Sequence, residues 1–221
     1  MNAVAIVQAR MGSTRLPGKV MLSLDCEPII QHITRRVTSC ELVDEVVVAT
    51  TEKRRDDIIT DYARKEGADV FRGDESDVLG RVFQAAKSQD ADLVVRVTAD
   101  NPLTPLAAID ATIQKIQDSE YDYVSNKVER SFPAGFDTEV CTFESLKTVE
   151  ARADTQRDRE HVTTYYRRLE EFDTANITSI EVYGEPQLQN RTDLRLTLDT
   201  PADFEVFRRL YENVPYDETL D

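Results

Sequence analysis

The run Val4-Ala5-Ile6-Val7 and the loop that follows it constrain this chain more than any other stretch. Apolar, mostly β-branched residues without alternation read as a strand buried on both faces. Gln8 and Ala9 lead into a loop that holds Gly12, Gly18, Ser13, Thr14 and three cations, Arg10, Arg15 and Lys19. Glycine lets backbone N–H groups approach an anion closely, and clustered cations neutralise it. A strand that opens into such a loop at its carboxyl end is where parallel α/β sheets bind ligands. The stretch reads as a triphosphate cradle with Arg10, Arg15 and Lys19 as its charged groups.

The pattern is neither of the two common phosphate loops. Lys19 is followed by Val20 where G-x-x-x-x-G-K-[ST] needs a hydroxyl, and G-x-G-x-x-G does not occur here. The competing reading is a surface loop of solvated arginines. The concentration of cations and glycines between residues 10 and 19 weighs against it.

The rest of the first half alternates. Ile29, Ile30, Ile33 and Val37 share one helical face, and Val46–Ala49 reads as a second buried strand. A helix over Asp56–Glu66 would turn Ile58, Ile59, Tyr62 and Ala63 inward and stop at Gly67. Val70-Phe71 is a short strand, and Val78, Leu79, Val82, Phe83 and Ala86 mark a helix. Leu93–Val97 is a fourth strand, and Leu106, Ile109, Ile113 and Ile116 recur at helical spacing. Repeated strand–helix units predict a mostly parallel sheet with right-handed crossovers, flanked by helices.

The second half is less regular. Residues 121–183 read as a smaller extension containing a helix from Glu160 to Phe172, and Arg195–Leu198 as a returning strand. Thr200 can cap a last helix with Pro201 in its first turn and Asp203 on its dipole. Residues 216–221 read as a frayed end. A chain of 221 residues is most simply one α/β domain, 1–221. It divides into a nucleotide-binding half (1–120), the extension (121–183) and a return to the core (184–221).

Charge narrows the partners. A formal net charge of −15 argues against nucleic acid. Residues 1–36 nevertheless carry five cations against two acids, a local +3 that leaves −18 for the rest. The attractive field is therefore confined to the loop. Cations are 20 Arg against 7 Lys, and an acidic, Arg-rich surface fits a salt-rich cytoplasm. No apolar run approaches the roughly 20 residues of a membrane span, and no signal-peptide order opens the chain. The expected location is cytoplasmic, with no membrane partner. Cys26, Cys40 and Cys141 fit no metal pair or disulfide framework and read as buried free thiols.

The stretch Ala9-Arg10-Met11-Gly12-Ser13-Thr14-Arg15-Leu16-Pro17-Gly18-Lys19 resembles the opening motif of the sugar-activating cytidylyltransferases. These are the CMP-ulosonate synthetases of ketodeoxyoctonate and acylneuraminate type and, most closely, the spore-coat polysaccharide cytidylyltransferases. Later segments match in order, so the resemblance covers nearly the whole chain. It implies a single-domain Rossmann-like nucleotidyltransferase fold of the GT-A type. It also implies transfer of CMP from CTP to a sugar acid with release of pyrophosphate, Mg²⁺ as cofactor, and a homodimer formed through 121–183.

The resemblance also assigns residues. Asp100, just past the fourth strand in Val97-Thr98-Ala99-Asp100, inherits a metal role, and Asp199 before the last helix completes it. One or two carboxylates plus substrate usually hold Mg²⁺. Amides from Ala9, Met11, Gly12 and Ser13 are expected at the nucleotide, with Thr98. Phe71–Arg81 is similar to a segment that closes over the nucleotide, placing Asp77 and Arg81 near the base; an i, i+4 ion pair is the plainer reading. Gly135, Asp137, Glu139, Glu160 and His161 fall in segments similar to the acceptor side. Asp137 and Glu139 alternate, which an acidic outer strand face would also explain. His32 receives no role.

Two departures keep the acceptor open. Thr14 stands where acylneuraminate enzymes carry Lys, and Arg96–Asp100 reads as in the spore-coat group. Sugar-phosphate, polyol-phosphate and phosphonate acceptors remain alternatives. A glycosyltransferase would need an acid-x-acid pair after a strand, and Asp90-Ala91-Asp92 precedes one. A non-catalytic nucleotide-binding subunit is the third alternative.

Overall fold

The computed structural model describes residues 1–166, 171–184 and 191–214. β1 (Ala3–Gln8) ends in the glycine-bearing loop, which closes through a single 3-10 turn at Lys19–Met21. A hairpin of two-residue strands follows, β2 (Ser23–Leu24) and β3 (Glu27–Pro28). Then come α1 (Ile29–Thr38), β4 (Glu45–Thr51), α2 (Asp57–Lys65) and β5 (Asp69–Gly73). α3 (Val78–Ser88) crosses to β6 (Leu93–Thr98), and α4 (Leu106–Gln117) leads to β7 (Tyr123–Ser125). β8 (Glu139–Thr142) precedes α5 (Phe143–Arg152), α6 (Gln156–His161), β9 (Thr174–Asn176), α7 (Ser179–Tyr183) and α8 (Pro201–Asn213).

The main sheet has seven strands in the order β5-β4-β1-β6-β8-β7-β9. β5, β4, β1 and β6 run parallel, and β8 is antiparallel to both β6 and β7. The chain builds outward from β1 through β4 to β5, then returns to lay β6 on the other side of β1. That reversal puts a crevice outside the carboxyl ends of β1 and β6, where open α/β sheets bind ligands. Gln8 and Thr98 are register partners at those ends.

Both faces of the sheet are covered, which is why the strands read as continuous apolar runs. On one face Ile30, Ile33 and Val37 of α1, Ile59 of α2 and Ile109 and Ile113 of α4 pack on Ala5, Val7, Val48 and Val95. On the other, Leu79 and Val82 of α3 and Leu146 and Val149 of α5 pack on Val4, Ile6, Val47 and Val94. Each such side chain contributes about 1.5–3 kcal/mol on burial. A smaller cluster, Leu24, Ile29, Leu198 and Phe207, fastens α8 to the hairpin.

The expected fold class is the one observed, a mostly parallel sheet between helices, and 121–183 adds strands to that sheet. Several local expectations need correction. Ile58 is 41% exposed, because α2 turns only Ile59, Thr60 and Ala63 under cover. The expected Glu160–Phe172 helix is not there. α6 starts earlier, capped by the Thr155 hydroxyl on the Asp158 amide, and ends at His161. Residues 167–170 of that expectation lie outside the described residues. Arg195–Leu198 is extended, and among the described residues it pairs through one bridge, Ala134 with Arg195. Cys26 is exposed at the hairpin turn, whereas Cys40 and Cys141 are buried. The Thr200–Pro201–Asp203 start of α8 forms as expected, with a full capping box. The expectation for 216–221 falls outside the described residues. Among the described residues no helix is long and apolar enough to cross a membrane.

Candidate active site

The loop after β1 is held in shape by its own backbone. Met11 carbonyl accepts from both Ser13 and Gly18 amides at 3.0 Å, which cinches residues 11–18 into a closed turn. Gly18 sits at φ 70°, a left-handed conformation that disfavours other residues. Ala9 amide donates to Ala49 carbonyl, and Met11 amide donates to Asp56 Oδ1 at 2.7 Å. Asp56 is wholly buried and had no role in the sequence reading. Of the amides expected at the nucleotide, those of Ala9, Met11 and Ser13 are thus engaged within the protein. The amides of Arg10 and Gly12 have no partner among the described residues.

Lys19 is the centre of the crevice. Its Nζ donates to Asp100 Oδ2 at 2.7 Å, to Asp199 Oδ1 at 3.1 Å and to Leu198 carbonyl at 2.8 Å. The two acids converge because Leu198 amide donates to Asp100 carbonyl at 2.9 Å, tying the segment before α8 to the end of β6. Asp199 also accepts from Arg15 Nη2 and Arg195 Nη2, each at 2.8 Å. Gly135 lies against the segment that leads to Asp199. It stands at φ 105°, and a Cβ there would lie 2.2 Å from Leu196 carbonyl oxygen. In the structure Gly135 makes a close backbone contact with Leu196 and Thr197.

Around these residues lies a cleft of about 330 Å³. It is lined by five cations, Arg10, Arg15, Lys19, Arg81 and Arg96, against three acids, Asp100, Glu160 and Asp199. Ala9, Ser13, Thr98 and His161 complete the expected residues found in its wall. A second hollow of about 610 Å³ adjoins it through Arg10, Val78 and Glu160 and extends over the turn at residues 73–76. Here the balance reverses, with Arg10 and Lys53 against Glu52, Asp74, Glu75 and Glu160. Arg10 donates to Glu75 carbonyl at 3.2 Å and Arg81 to Asp74 carbonyl at 2.5 Å, so both guanidinium groups hold that turn. Burial, and then the neighbouring Arg10 charge, lower the Arg81 pKa below its ordinary value.

Some expected residues lie elsewhere. Met11 and Gly12 are in the loop but do not form the cleft wall. Asp77 and Arg81 do not pair with each other. Asp77 caps α3 by accepting from Gly80 amide and is gripped by Arg159, whose Nε reaches Oδ1 at 2.8 Å. Burial opposes ionisation of Asp77, but Arg159 and the Gly80 amide hold its pKa below the usual value. Asp137 precedes β8 and is bound by Lys127 and Arg130 at 3.4 and 3.2 Å.

Glu139 is the clearest correction. It is 3% exposed, and its oxygens are taken up by Arg96, Lys127, Tyr123 and Thr163. Burial alone would raise the Glu139 pKa; the Arg96 and Lys127 charges and the Thr163 and Tyr123 hydroxyls bring it down to about 2. It is an internal anchor, not an acceptor ligand. The alternation that suggested an outer face could not reveal that this face is covered. Arg96, its cross-strand partner, received no role in the sequence reading, although a lone cation inside Leu93–Val97 was a signal. Asp90-Ala91-Asp92 precedes β6, at the end of the sheet away from the cleft. Asp92 there accepts from Asn2 amide.

Residues 4–219 match the family model of cytidylyltransferases. The chain is 35% identical over 213 residues to an uncharacterised protein of Methanocaldococcus jannaschii, covering 96% of this chain and 84% of that one. It is 33% identical over 215 residues to the spore coat polysaccharide biosynthesis protein SpsF of Bacillus subtilis, covering 94% and 85%. A cytidylyltransferase from Leptospira borgpetersenii superposes with a TM-score of 0.90 at 29% identity, covering 100% of this chain and 90% of that one. A CMP:2-keto-3-deoxy-manno-octonic acid synthetase complexed with CTP superposes at 0.69 and 17% identity, covering 96% and 99%, a likeness of fold. A cation-lined crevice at the β1–β6 switch and a family match spanning nearly the whole sequence lead to one conclusion: the chain belongs to the cytidylyltransferase family.

Proposed function

We propose that this enzyme transfers CMP from CTP to a sugar acid of the ulosonic or nonulosonic (sialic-acid-like) class, with Mg²⁺ as cofactor and pyrophosphate as the second product. The observation that carries the reading is the Lys19 ammonium between Asp100 and Asp199 in a cleft that Arg10 and Arg15 also line. Three oxygens, two of them anionic, already converge there on a single positive charge. That is the hard oxygen set Mg²⁺ takes, one or two carboxylates with substrate phosphate and water completing its shell. Asp100 and Asp199 would hold the ion. When bound, it neutralises charge on the α-phosphate.

The remaining work is positioning and charge neutralisation. Arg10, Arg15 and Lys19 bind the triphosphate, with the unengaged Arg10 and Gly12 amides as further donors. The adjoining hollow, with its surplus of acids, suits the base better than the triphosphate. The acceptor oxygen forms a bond to the α-phosphorus as the bond from that phosphorus to the bridging oxygen breaks. Pyrophosphate leaves with the electron pair, and the acceptor hydroxyl releases its proton. Glu160 and His161, on the cleft rim, face the acceptor. The proposed location is the cytoplasm, where CTP is available. The proposed homodimer interface is 121–183, where Val128 and Ile180 are exposed apolar side chains.

The test is pyrophosphate release with each of four nucleoside triphosphates, with and without Mg²⁺, against a panel of sugar acids, sugar phosphates and phosphonates. Release confined to CTP, Mg²⁺ and a sugar acid is expected. Release with another triphosphate, without a divalent ion, or with a phosphate acceptor in preference would overturn the corresponding part.

A further inference from the structure

We propose that Arg96 selects the acceptor, and that it selects an anionic group, a carboxylate or phosphate carried near the nucleophilic hydroxyl. The proposal rests on the cytidylyl-transfer reading above and names the residue that would read its second substrate.

Each cation in the cleft has partners within the protein. Lys19 and Arg15 are committed to Asp100 and Asp199, and Arg10 and Arg81 hold the turn at residues 74–75. Arg96 is different. Its Nε donates to Gln8 Oε1 at 3.1 Å and its Nη1 to Glu139 Oε2 at 2.5 Å. Nη2 has no partner among the described residues, yet it is not among the buried polar atoms left unsatisfied. The side chain is only 12% exposed, but it lines the cleft. A guanidinium fixed on two nitrogens, with the third open to the cleft, offers a preorganised fork for a carboxylate or phosphate.

Topology lets this guanidinium reach the β8 flank of the cleft, where an acceptor beside the triphosphate would sit. Arg96 lies in β6, four residues before Asp100 in the turn that follows, and its cross-strand partner Glu139 opens β8, on the flank away from β1 and the triphosphate loop. The same Glu139 accepts from the Thr163 hydroxyl at 2.6 Å. Thr163 amide in turn donates to His161 carbonyl at 2.5 Å across Val162, which stands at φ 57°, ψ −61°. That is a strained γ-turn on a β-branched residue, a conformation found where surrounding contacts impose it. One buried carboxylate therefore fixes both the Arg96 fork and the turn that presents His161 to the cleft. A buried ion pair gives little net stability over apolar packing, so orientation is the gain here.

The test is calorimetric titration of three probes, 3-deoxy-manno-octulosonate, glucose 1-phosphate and glucose, with CTP titrated separately. The proteins are the wild type, Arg96→Gln, Arg96→Lys, Glu139→Gln and the double variant Arg96→Gln/Glu139→Gln. The wild type should bind one anionic probe more tightly than glucose, and which one it prefers identifies the anion. Arg96→Gln should weaken that probe on the order of 10- to 100-fold while CTP affinity holds within about twofold. Arg96→Lys should recover part of the loss. Glu139→Gln should weaken the probe without weakening CTP, as expected of a positioning residue. The double variant removes both buried charges together and should show the same selective loss even if a single variant folds poorly. Equal losses for probe and CTP, no loss in Arg96→Gln, or glucose bound as tightly as both anions would overturn the proposal. Pyrophosphate release does not enter these titrations, so their failure is told apart from failure of the transfer reading.

Discussion

The Lys19 ammonium lies 2.7 Å from the Asp100 carboxylate, although 81 positions separate them in the chain. The contact joins the loop after β1 to the end of β6, and Asp199 joins it from a third segment at 3.1 Å. Both partners are expected to be essential. Lys19→Ala and Asp100→Ala should each lower pyrophosphate release on the order of 10²–10³-fold, the loss typical of one preorganised charged donor. Circular dichroism and thermal melts should show the fold retained. A rate within about tenfold of wild type would remove either residue from the site.

Gly135 tests how the third segment is held. At φ 105°, with Leu196 carbonyl oxygen 2.2 Å from any added Cβ, it tolerates no side chain. Gly135→Ala should cost at least about 2 kcal/mol, lowering the melting temperature by roughly 4–8 °C. It should also slow turnover, because 195–199 carries Asp199 into the cleft. A melting temperature unchanged by the substitution would contradict the close approach.

Asp77 separates a structural role from a nucleotide role. It caps α3 and pairs with Arg159, and it does not line the cleft. Asp77→Ala should cost about 1–2 kcal/mol in urea unfolding, while CTP affinity stays within about twofold. A selective loss of CTP binding with stability intact would restore Asp77 to the nucleotide.

Glu139 gives a pH signature. Its folded pKa of about 2 lies below the ordinary 4.5. The folded state therefore binds fewer protons, and the stabilisation is complete above the unfolded value. As pH falls from about 4.5 to about 2 it is lost. Urea unfolding of the wild type and Glu139→Gln should differ most near neutrality and converge toward pH 2. A difference that is constant with pH, or grows in acid, would show that Glu139 is not held ionised.

Local patterns were legible where a segment's own chemistry decides its shape. The β1 strand, the Thr200 cap of α8 and the apolar stripes of α1 and α4 follow from short-range rules. The helix in this segment starts before the expected 160–172, where the Thr155 hydroxyl accepts from the Asp158 amide and sets its first turn. Arg195–Leu198 alternates like a strand, yet Ala134 offers it only one bridge. Extended sequence becomes strand only where a neighbour supplies hydrogen bonds.

Charges divide along the same line. That Arg10, Arg15 and Lys19 share a loop, and that Asp100 and Asp199 each follow the carboxyl end of an extended segment, could be read from residue order. Which acid each cation meets could not, because an ion pair depends on distance and burial rather than sequence separation. Only the folded sheet, setting β8 beside β6, turned Glu139 inward onto Arg96 and left the cleft to other residues. Residue order alone specifies the cation-bearing loop, because its members are neighbours in the chain; strand order selects what faces it.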